Sequence, residues 1–353
     1  MTATFPTTSD ALTAEWLSDA LGTRVTSFEI EPIGVGVGLV CDLARVHLHY
    51  DGDGPATVIA KFPAALEENR FVALVLNMYG RETTFYRDLA CDTLLSAPRC
   101  HAVEFDADAN EFVLLLEDVA GARVVDQLVG CTRAEAEVAI DELARLHAGW
   151  WNNPALESVL RLCDAPYPDV VSAAFVSSWE PVQEICEGLI PPTIKALGDR
   201  FTELIPTLMA RLSEPPWTLS HGDYRLDNLF FSDDPARPIV AIDWQLHDRS
   251  RGPRDLSYLL SQSMEPELRA GCERALVERY VAGLVGNGVT GYDVEQAWYD
   301  YRLATLFDFV YPVIAGGGFT LANERAVALV RLLTSRFIAA FEHLDCAELA
   351  RAS

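Results

Sequence analysis

The N-terminal third of the chain alternates short apolar runs with glycine-rich turns. Residues 39–50 and 57–62 are rich in β-branched and apolar side chains, and Asp-Gly-Asp-Gly separates them at 51–54. The run Phe-Val-Leu-Leu-Leu at 112–116 is short enough for a buried strand. The pattern therefore predicts a small region of strands joined by tight turns.

Most other apolar positions recur at helical spacing. Residues 10–22 predict a short amphipathic helix that ends at a glycine, and 66–90 predict further helix that Gly80 divides into two. Thr-Arg-Ala-Glu at 132–135 is a capping box for a helix reaching Trp150 or Trp151.

The stretch 255–345 is helical in pattern, broken by the three glycines at 316–318. The 353 residues are too many for most single cores. We expect an α+β protein with a small antiparallel β lobe at 1–118 and a larger, mainly helical lobe at 119–353.

One polar cluster interrupts two apolar runs in the second lobe. It lies in Thr-Leu-Ser-His-Gly-Asp-Tyr-Arg-Leu-Asp-Asn-Leu-Phe-Phe, residues 218–231, between predicted strands at 217–220 and 229–231. A third predicted strand, 238–244, carries an aspartate near its end. The cluster is either a polar surface turn or a catalytic loop. Its charged and amide side chains are His221, Asp223, Arg225, Asp227 and Asn228.

The spacing within this cluster favours a catalytic loop. Phosphoryl transfer needs a carboxylate that orients the attacking hydroxyl, and oxygen ligands for the Mg²⁺ that bridges the phosphates. Asp223, Asn228 five positions later and Asp243 on the next strand supply these groups. The same spacing occurs in the protein-kinase motif His-Arg-Asp-x-x-x-x-Asn. The sequence therefore predicts a phosphotransferase loop.

A lysine and a glycine cluster in the first lobe fit the same chemistry. Lys61 lies between Ala60 and Phe62 in an apolar strand, where a buried ammonium needs an anionic partner. A phosphate together with Glu82 would serve, and a strand-edge lysine reaching solvent is the alternative. Gly34, Gly36 and Gly38 form either a hairpin tip folded over phosphates or a plain turn. A dinucleotide fingerprint needs a helix after the glycines, and the pattern here gives a strand.

The chain resembles the aminoglycoside phosphotransferase and choline kinase superfamily, in particular its ecdysteroid-kinase-like and hydroxyacyl-CoA-kinase-like branches. The motifs follow the family order over most of the chain. They are GVGVG, VIAKF, YGRETTFYRDL, LLLEDV, LARLHAGWW, HGDYRLDNLFF, AIDWQ and GPRDLSYLL.

This resemblance implies a two-lobed, protein-kinase-like fold and transfer of the γ-phosphate of ATP, or of GTP, to a hydroxyl of a small molecule. It implies that Asp223 is the catalytic base and that Asn228 and Asp243 hold Mg²⁺. It further implies that Lys61 binds the α- and β-phosphates and that Glu82 holds Lys61.

Several supporting residues also take roles from the resemblance. The backbone from Glu117 to Val119 is expected to meet the adenine, Asp255 to brace the catalytic loop, and His147 to be a core histidine. Arg225 is a candidate for steadying the γ-phosphate, and a salt bridge to Asp227 is its alternative. A catalytically silent, nucleotide-binding regulator of the same fold is the alternative function.

Two positions differ from protein kinases. Gly222 stands where those enzymes have an arginine that couples the loop to a phosphorylated activation segment, so no such switch is expected. Trp244 follows Asp243 where protein kinases have Phe-Gly, which is typical of small-molecule kinases.

Net charge and composition limit the classes of molecule that the protein is expected to bind. The formal net charge of −25 either repels nucleic acid and anionic membranes and favours a cationic or neutral acceptor, or serves solubility only. A stretch at 300–319 suggests an amphipathic pocket wall, or else helices that only pack the core; its candidate residues are Asp300, Asp308, Tyr311 and Phe319.

The eight cysteines form no Cys-x-x-Cys pair, and neither a secretory signal nor a membrane span is evident, so we expect a cytoplasmic protein. The acceptor and the oligomeric state stay open.

Overall fold

A computed structural model describes residues 4–34, 40–318 and 324–352. The chain divides into two compact units. The first contains residues 1–92, 96–122 and 242–246, and the second contains 93–95, 123–241 and 247–353. The short segment 242–246, which carries Asp243, thus belongs to the first unit although its neighbours in the chain belong to the second.

The first unit is built on an antiparallel sheet of five strands, in the spatial order β1-β2-β3-β5-β4. Its strands are β1 (Val25–Ile33), β2 (Cys41–Tyr50), β3 (Thr57–Pro63), β4 (Cys100–Asp106) and β5 (Glu111–Glu117). The predicted strands at 39–50, 57–62 and 112–116 correspond to β2, β3 and β5.

Strand β3 is the central strand and sends alternate side chains to opposite faces of the sheet. Ala60 and Phe62 belong to an apolar cluster that also contains Leu17 of the first helix. Because side chains alternate along a strand, Lys61 points to the other face. The pleat therefore separates the lysine from the apolar core of this unit.

Three α-helices accompany this sheet: α1 (Ala14–Leu21), α2 (Glu67–Val75) and α3 (Met78–Thr84). Helix α1 ends at Gly22, which is left-handed (φ +67°), as predicted. The prediction that Gly80 divides the next helical stretch is wrong. The break falls at Asn77, which adopts φ +49°, and Gly80 lies inside α3. Asparagine tolerates this left-handed conformation better than most residues do, so it can end one helix and begin another.

The second unit is mainly helical. It contains α4 (Arg133–Gly149), α5 (Tyr167–Ile185), α6 (Pro192–Gly198), α7 (Phe201–Leu212), α8 (Pro253–Ser263), α9 (Pro266–Gly286), α10 (Val294–Phe307), α11 (Val310–Gly318), α12 (Glu324–His343) and α13 (Cys346–Ala352). The capping box predicted for α4 is present, with Thr132 and Glu135 bonded to each other's backbone N–H groups.

The glycines at 316–318 form the last turn of α11, which ends at Gly318, and α12 begins at Glu324. A side chain on Gly317 would lie 1.9 Å from the Ser178 hydroxyl of α5. Close packing of the two helices thus explains why glycine is needed inside a helix, despite its low helix propensity.

Short strands frame the polar cluster. They are β6 (Arg123–Val124), β7 (Thr218–Ser220), β8 (Leu229–Phe231), β9 (Ile239–Ala241) and β10 (Asp248–Ser250). Strand β8 pairs with β6 and β9, and β7 pairs with β10. The predicted strand at 238–244 is shorter than expected, since β9 ends at Ala241. Within the described ranges, no helix has both the length and the apolar character needed to cross a membrane.

Candidate active site

The polar cluster forms a loop between β7 and β8 that is held by its backbone. The buried carboxylate of Asp255, in the first turn of α8, accepts the N–H of His221 at 2.7 Å and that of Gly222 at 2.9 Å. It also contacts Nε2 of His147 at 3.2 Å, whose Nδ1 lies 2.8 Å from the Tyr280 hydroxyl. The structure therefore places Asp255 and His147 in the bracing and core positions that the resemblance implied.

The charges around the buried Asp255 carboxylate favour its ionised form. Burial acts to raise the pKa of Asp255. The hydrogen bond and charge of His147, together with the charge of Arg254, outweigh burial and lower the pKa to about 2. Asp255 is therefore ionised at neutral pH, and a charged acceptor binds backbone N–H groups more strongly than a neutral one does.

Asp223 and Asn228 lie together at the other side of the loop. Nδ2 of Asn228 donates to the backbone carbonyl of Asp223 at 2.9 Å and to its carboxylate at 2.7 Å. The Tyr258 hydroxyl of α8 also donates to this carboxylate. These contacts fix the orientation of Asp223, the candidate base that the family resemblance implies.

Arg225 forms the salt bridge that was the alternative to a phosphate contact. Its guanidinium pairs with Asp227, and its Nε lies 3.2 Å from the carboxylate of Asp223. Burial would lower the pKa of Arg225, but the charges of Asp223 and Asp227 raise it. In this structure the arginine is thus part of the loop's own charge network.

Lys61 lies between two carboxylates in the first unit. Its ammonium nitrogen is 2.8 Å from Glu82 Oε1 on α3 and 2.8 Å from Asp243 Oδ1. The lysine is 7% exposed and Glu82 is 1% exposed. Burial acts to lower the pKa of Lys61, but the two carboxylates raise it well above its ordinary value. The lysine is therefore charged, so the alternative of a strand-edge lysine reaching solvent does not describe it.

Asp243 is positioned by its own backbone and by its neighbours. It adopts φ +67°, an uncommon conformation for a residue with a side chain. The next residue, Trp244, is fully buried and stacks on Phe85 at 3.8 Å between ring centroids. Gln245 donates to the second carboxylate oxygen of Asp243 at 3.1 Å. Since Phe85 directly follows α3, this stacking holds Asp243 beside the helix that carries Glu82.

The remaining predicted nucleotide contacts are only partly described. Gly34 adopts φ +68° directly after β1, whereas Gly36 and Gly38 lie outside the described residues. Glu117 ends β5, and Val119 follows it in a partly exposed segment. Asp118, between them, pairs with Arg45 at 2.7 Å. A contact of Glu117 and Val119 with adenine stays a prediction.

Sequence comparison assigns the chain to a family. A profile of the ecdysteroid kinase-like family matches residues 38–288, well over half of the chain. The chain belongs to the ecdysteroid kinase-like family. A comparison with curated proteins gave no significant match.

Solved structures agree on the fold of this kinase-like protein. A candidate aminoglycoside phosphotransferase from Ralstonia eutropha is similar with a TM-score of 0.57 and 16% identity, over 94% of this chain and 97% of that one. Plasmodium vivax ethanolamine kinase gives 0.54 and 12%, over 90% and 83%. Aminoglycoside 2′-phosphotransferase-IIIa, solved with GDP, gives 0.52 and 16%, over 89% and 93%. The family match confirms the predicted superfamily, and the solved structures confirm the predicted α+β fold.

Each of the two units offers one oxygen atom of the kind that binds magnesium, and each is described by itself. Asp243 offers a carboxylate that is 25% exposed, and Asn228 donates through Nδ2, which leaves its amide oxygen Oδ1 for a cation. Mg²⁺ takes oxygen ligands and usually binds through one or two protein groups plus phosphates and water. No group of three or more His, Cys, Asp or Glu able to hold a metal occurs in the described ranges. A site completed by phosphate oxygens needs no such group.

The suggested acceptor wall belongs largely to the core. Asp300 is fully buried and bonds Arg251 and the Tyr292 hydroxyl, and Asp308 bonds the hydroxyls of Ser257 and Ser261. Asp300 and Asp308 therefore fit the alternative hypothesis, in which these helices only pack the core.

A role in lining the acceptor pocket stays a prediction for the other two suggested residues, Tyr311 and Phe319. The Tyr311 hydroxyl accepts from Arg254 at 3.0 Å, and its ring stacks on Tyr258 at 3.9 Å. This stacking places Tyr311 next to the tyrosine that contacts Asp223. Phe319 lies outside the described residues.

Sequence reasoning did not identify two residues that contact the loop between β7 and β8. Tyr258 lies three positions after Asp255, so helical spacing puts both on one face of α8 and could have indicated it. Gln127 accepts the N–H of Leu226 at 3.1 Å from 99 positions away in the chain, and no local signal marks it.

Proposed function

We propose that the protein transfers the γ-phosphate of ATP to a hydroxyl group of a small molecule. Family membership and fold support a small-molecule kinase or phosphotransferase. The proposal adds that the phosphate donor is ATP, that Asp223 is the base, and that Asn228 and Asp243 hold the metal ion. Residues 1–118 would bind the nucleotide, and 119–353 would carry the catalytic loop and bind the acceptor.

The observation that carries the proposal is Lys61 held between Glu82 and Asp243 at 2.8 Å each. Burying these three charged groups removes their hydration, and apolar residues of similar volume in place of the whole group would often be no less stable. A role in binding would account for the charged group at this position. In kinases a strand lysine paired with a helix glutamate binds the nucleotide phosphates.

The loop residues would act on the acceptor. Asp223 accepts the hydrogen of the attacking hydroxyl and orients its oxygen toward the phosphorus. Three donors already bind this carboxylate, from Asn228, Arg225 and Tyr258. Such donors weaken a base, which suits a loose transition state in which little proton abstraction is needed and positioning contributes most.

Asn228 and Asp243 would hold Mg²⁺, which when bound neutralises the charge on the transferred phosphate. Arg225 remains a candidate for the γ-phosphate only if it leaves Asp227. The acidic chain, at −25, favours a cationic or neutral acceptor of amphipathic character over nucleic acid or an anionic membrane.

The proposal is tested by incubating the protein with Mg²⁺, γ-labelled ATP and a metabolite extract. Asp223→Asn is the test variant because it keeps the shape of the side chain and removes the charge. Asp233→Asn, in an exposed turn after β8, is the matched control. We expect a labelled small molecule with the wild type and the control, and none with Asp223→Asn.

Each outcome decides between the alternatives. Mg²⁺-dependent nucleotide binding without any labelled product would favour the catalytically silent regulator. Absence of nucleotide binding would refute the proposal. Equal labelling by Asp223→Asn and the wild type would remove Asp223 from the mechanism while leaving the kinase intact.

A further inference from the structure

Gln127 contacts the catalytic loop at a point that Asp255 does not reach. The Gln127 side chain is 1% exposed, and its Oε1 accepts the N–H of Leu226 at 3.1 Å. Leu226 lies between Arg225 and Asp227 and begins the 3₁₀ turn that ends at Asn228. The contact therefore fixes the backbone next to the candidate metal ligand.

The other end of the same amide is bonded to α8. Nε2 of Gln127 donates to the backbone carbonyl of Gln262 at 2.7 Å and lies 3.2 Å from the Ser263 hydroxyl. Arg336 of α12, 3% exposed, donates from one nitrogen to the carbonyls of Gln127 and Gln262, both at 2.8 Å. Gln127 thus has no rotational freedom, since its side chain and its backbone are both bonded.

Helix α8 holds the loop at three successive points. Asp255 binds the backbone at its start, Tyr258 binds the carboxylate of Asp223, and Gln262 reaches Leu226 through Gln127. Positions 255 and 258 are three residues apart, which places their side chains on one helix face, and position 262 contributes its backbone carbonyl. One rigid element therefore sets both ends of the loop.

We propose that Gln127 is a positioning residue that transmits the geometry of α8 to the turn carrying Asn228. This inference rests on the proposed function, in which Asn228 holds the metal. A structural alternative is that Gln127 only satisfies the last carbonyls of α8, as helix ends require. The two hypotheses differ in whether replacing the Gln127 amide changes hydrogen exchange at the Leu226 N–H.

The test uses three variants. Gln127→Met removes both ends of the amide at similar length. Gln127→Glu keeps an oxygen for the Leu226 N–H but removes the donor that binds the Gln262 carbonyl of α8. Thr305→Val is the matched control, because Thr305 is also fully buried and its hydroxyl bonds Ser257 of α8 at 2.8 Å without leading to the loop. Hydrogen exchange is measured on the intact protein and resolved at the Leu226 amide.

We expect the Leu226 amide to exchange about tenfold faster in Gln127→Met, since a lost hydrogen bond opens the turn locally. Exchange in Gln127→Glu should also rise, because the bond to α8 is lost, whereas exchange in Thr305→Val should stay near the wild-type rate. Unchanged exchange in Gln127→Met, or an equal increase in Thr305→Val, would overturn the proposal. If Gln127→Met does not fold, unchanged Leu226 exchange in folded Gln127→Glu would overturn it too.

A kinetic measurement separates positioning from general loosening. We expect kcat for Mg²⁺-dependent ATP hydrolysis, without added acceptor, to fall about tenfold to a hundredfold in Gln127→Met, because small misplacements are costly in catalysis. KM for ATP should stay unchanged. A raised KM with unchanged kcat would contradict the inference. Failure of the proposed function would instead appear as absence of turnover in the wild type, and the exchange result would still decide the role of Gln127.

Discussion

Replacing Asp255 by asparagine tests whether the catalytic loop is held by its backbone. The carboxylate accepts two N–H groups, from His221 at 2.7 Å and Gly222 at 2.9 Å, in a fully buried setting. Asparagine has the same shape but only one oxygen. In Asp255→Asn one N–H group must therefore face an NH₂ group, and the folded state is destabilised.

Two estimates of the magnitude agree. The pKa of Asp255 is lowered from an ordinary value of 3.8 to about 2. Each pKa unit corresponds to about 1.4 kcal/mol, so ionisation of Asp255 stabilises the folded state by about 2.5 kcal/mol. A buried N–H group left without an acceptor costs about 1–3 kcal/mol. We expect Asp255→Asn to lower the free energy of unfolding by about 2–3 kcal/mol near neutral pH.

Urea unfolding over a pH series measures this effect. Because the pKa is lower in the folded state, the stabilisation is complete above pH about 4 and is lost as the pH falls toward 2. The difference between the wild type and Asp255→Asn should therefore shrink on acidification, and Asp233→Asn, which is exposed, should match the wild type throughout. A difference below about 0.5 kcal/mol near neutral pH, or one that grows in acid, would refute the reasoning.

Three further predictions follow from the same structure. Lys61→Met should weaken ATP binding at least about tenfold and should not be rescued by Lys61→Arg, whose planar fork differs from an ammonium; calorimetry showing wild-type affinity would contradict this. Gly222→Ala should lower the free energy of unfolding by about 1–2 kcal/mol, since Gly222 adopts φ +83°, and an unchanged urea midpoint would count against it. Burial raises the pKa of Asp308 to about 7, so the wild type loses stability as the pH rises from about 4 to 7. Relative to the wild type, Asp308→Asn should gain free energy of unfolding as the pH rises from about 4 to 7 and stay level above pH 7, by at most about 4 kcal/mol; urea unfolding that shows the largest effect in acid would have the wrong sign.

The parts of the site that could be predicted are those set by local spacing. The loop from His221 to Asn228 is contiguous, and its apolar flanks form β7 and β8 as expected. Lys61 was conspicuous because only two of the 27 basic Lys and Arg residues are lysines. Its proximity to Glu82 followed from the motif that the resemblance supplied. Composition or periodicity alone would not have paired two residues 21 positions apart.

The parts that escaped prediction depend on packing between distant segments. The break at Asn77 was assigned to Gly80 because glycine is the stronger general signal, and only the fold shows which residue turns left-handed. The suggested pocket residues Asp300 and Asp308 are buried by bonds to groups 8–51 positions away. Gln127 gave no signal because a buried glutamine has no periodic or motif partner.

The brace at Asp255 holds the loop from within the protein. Two successive N–H groups, of His221 and Gly222, converge on one anion, an arrangement used elsewhere to bind phosphates and other anions. Here the anion is the protein's own carboxylate, ionised because His147 and Arg254 lower its pKa. Protein kinases instead use an arginine at the Gly222 position to couple the loop to a phosphorylated segment. Gly222, at φ +83°, supplies backbone freedom where that arginine would stand. Because this charge is internal, we expect the loop to stay ordered whenever the protein is folded, which is the expectation that Asp255→Asn tests.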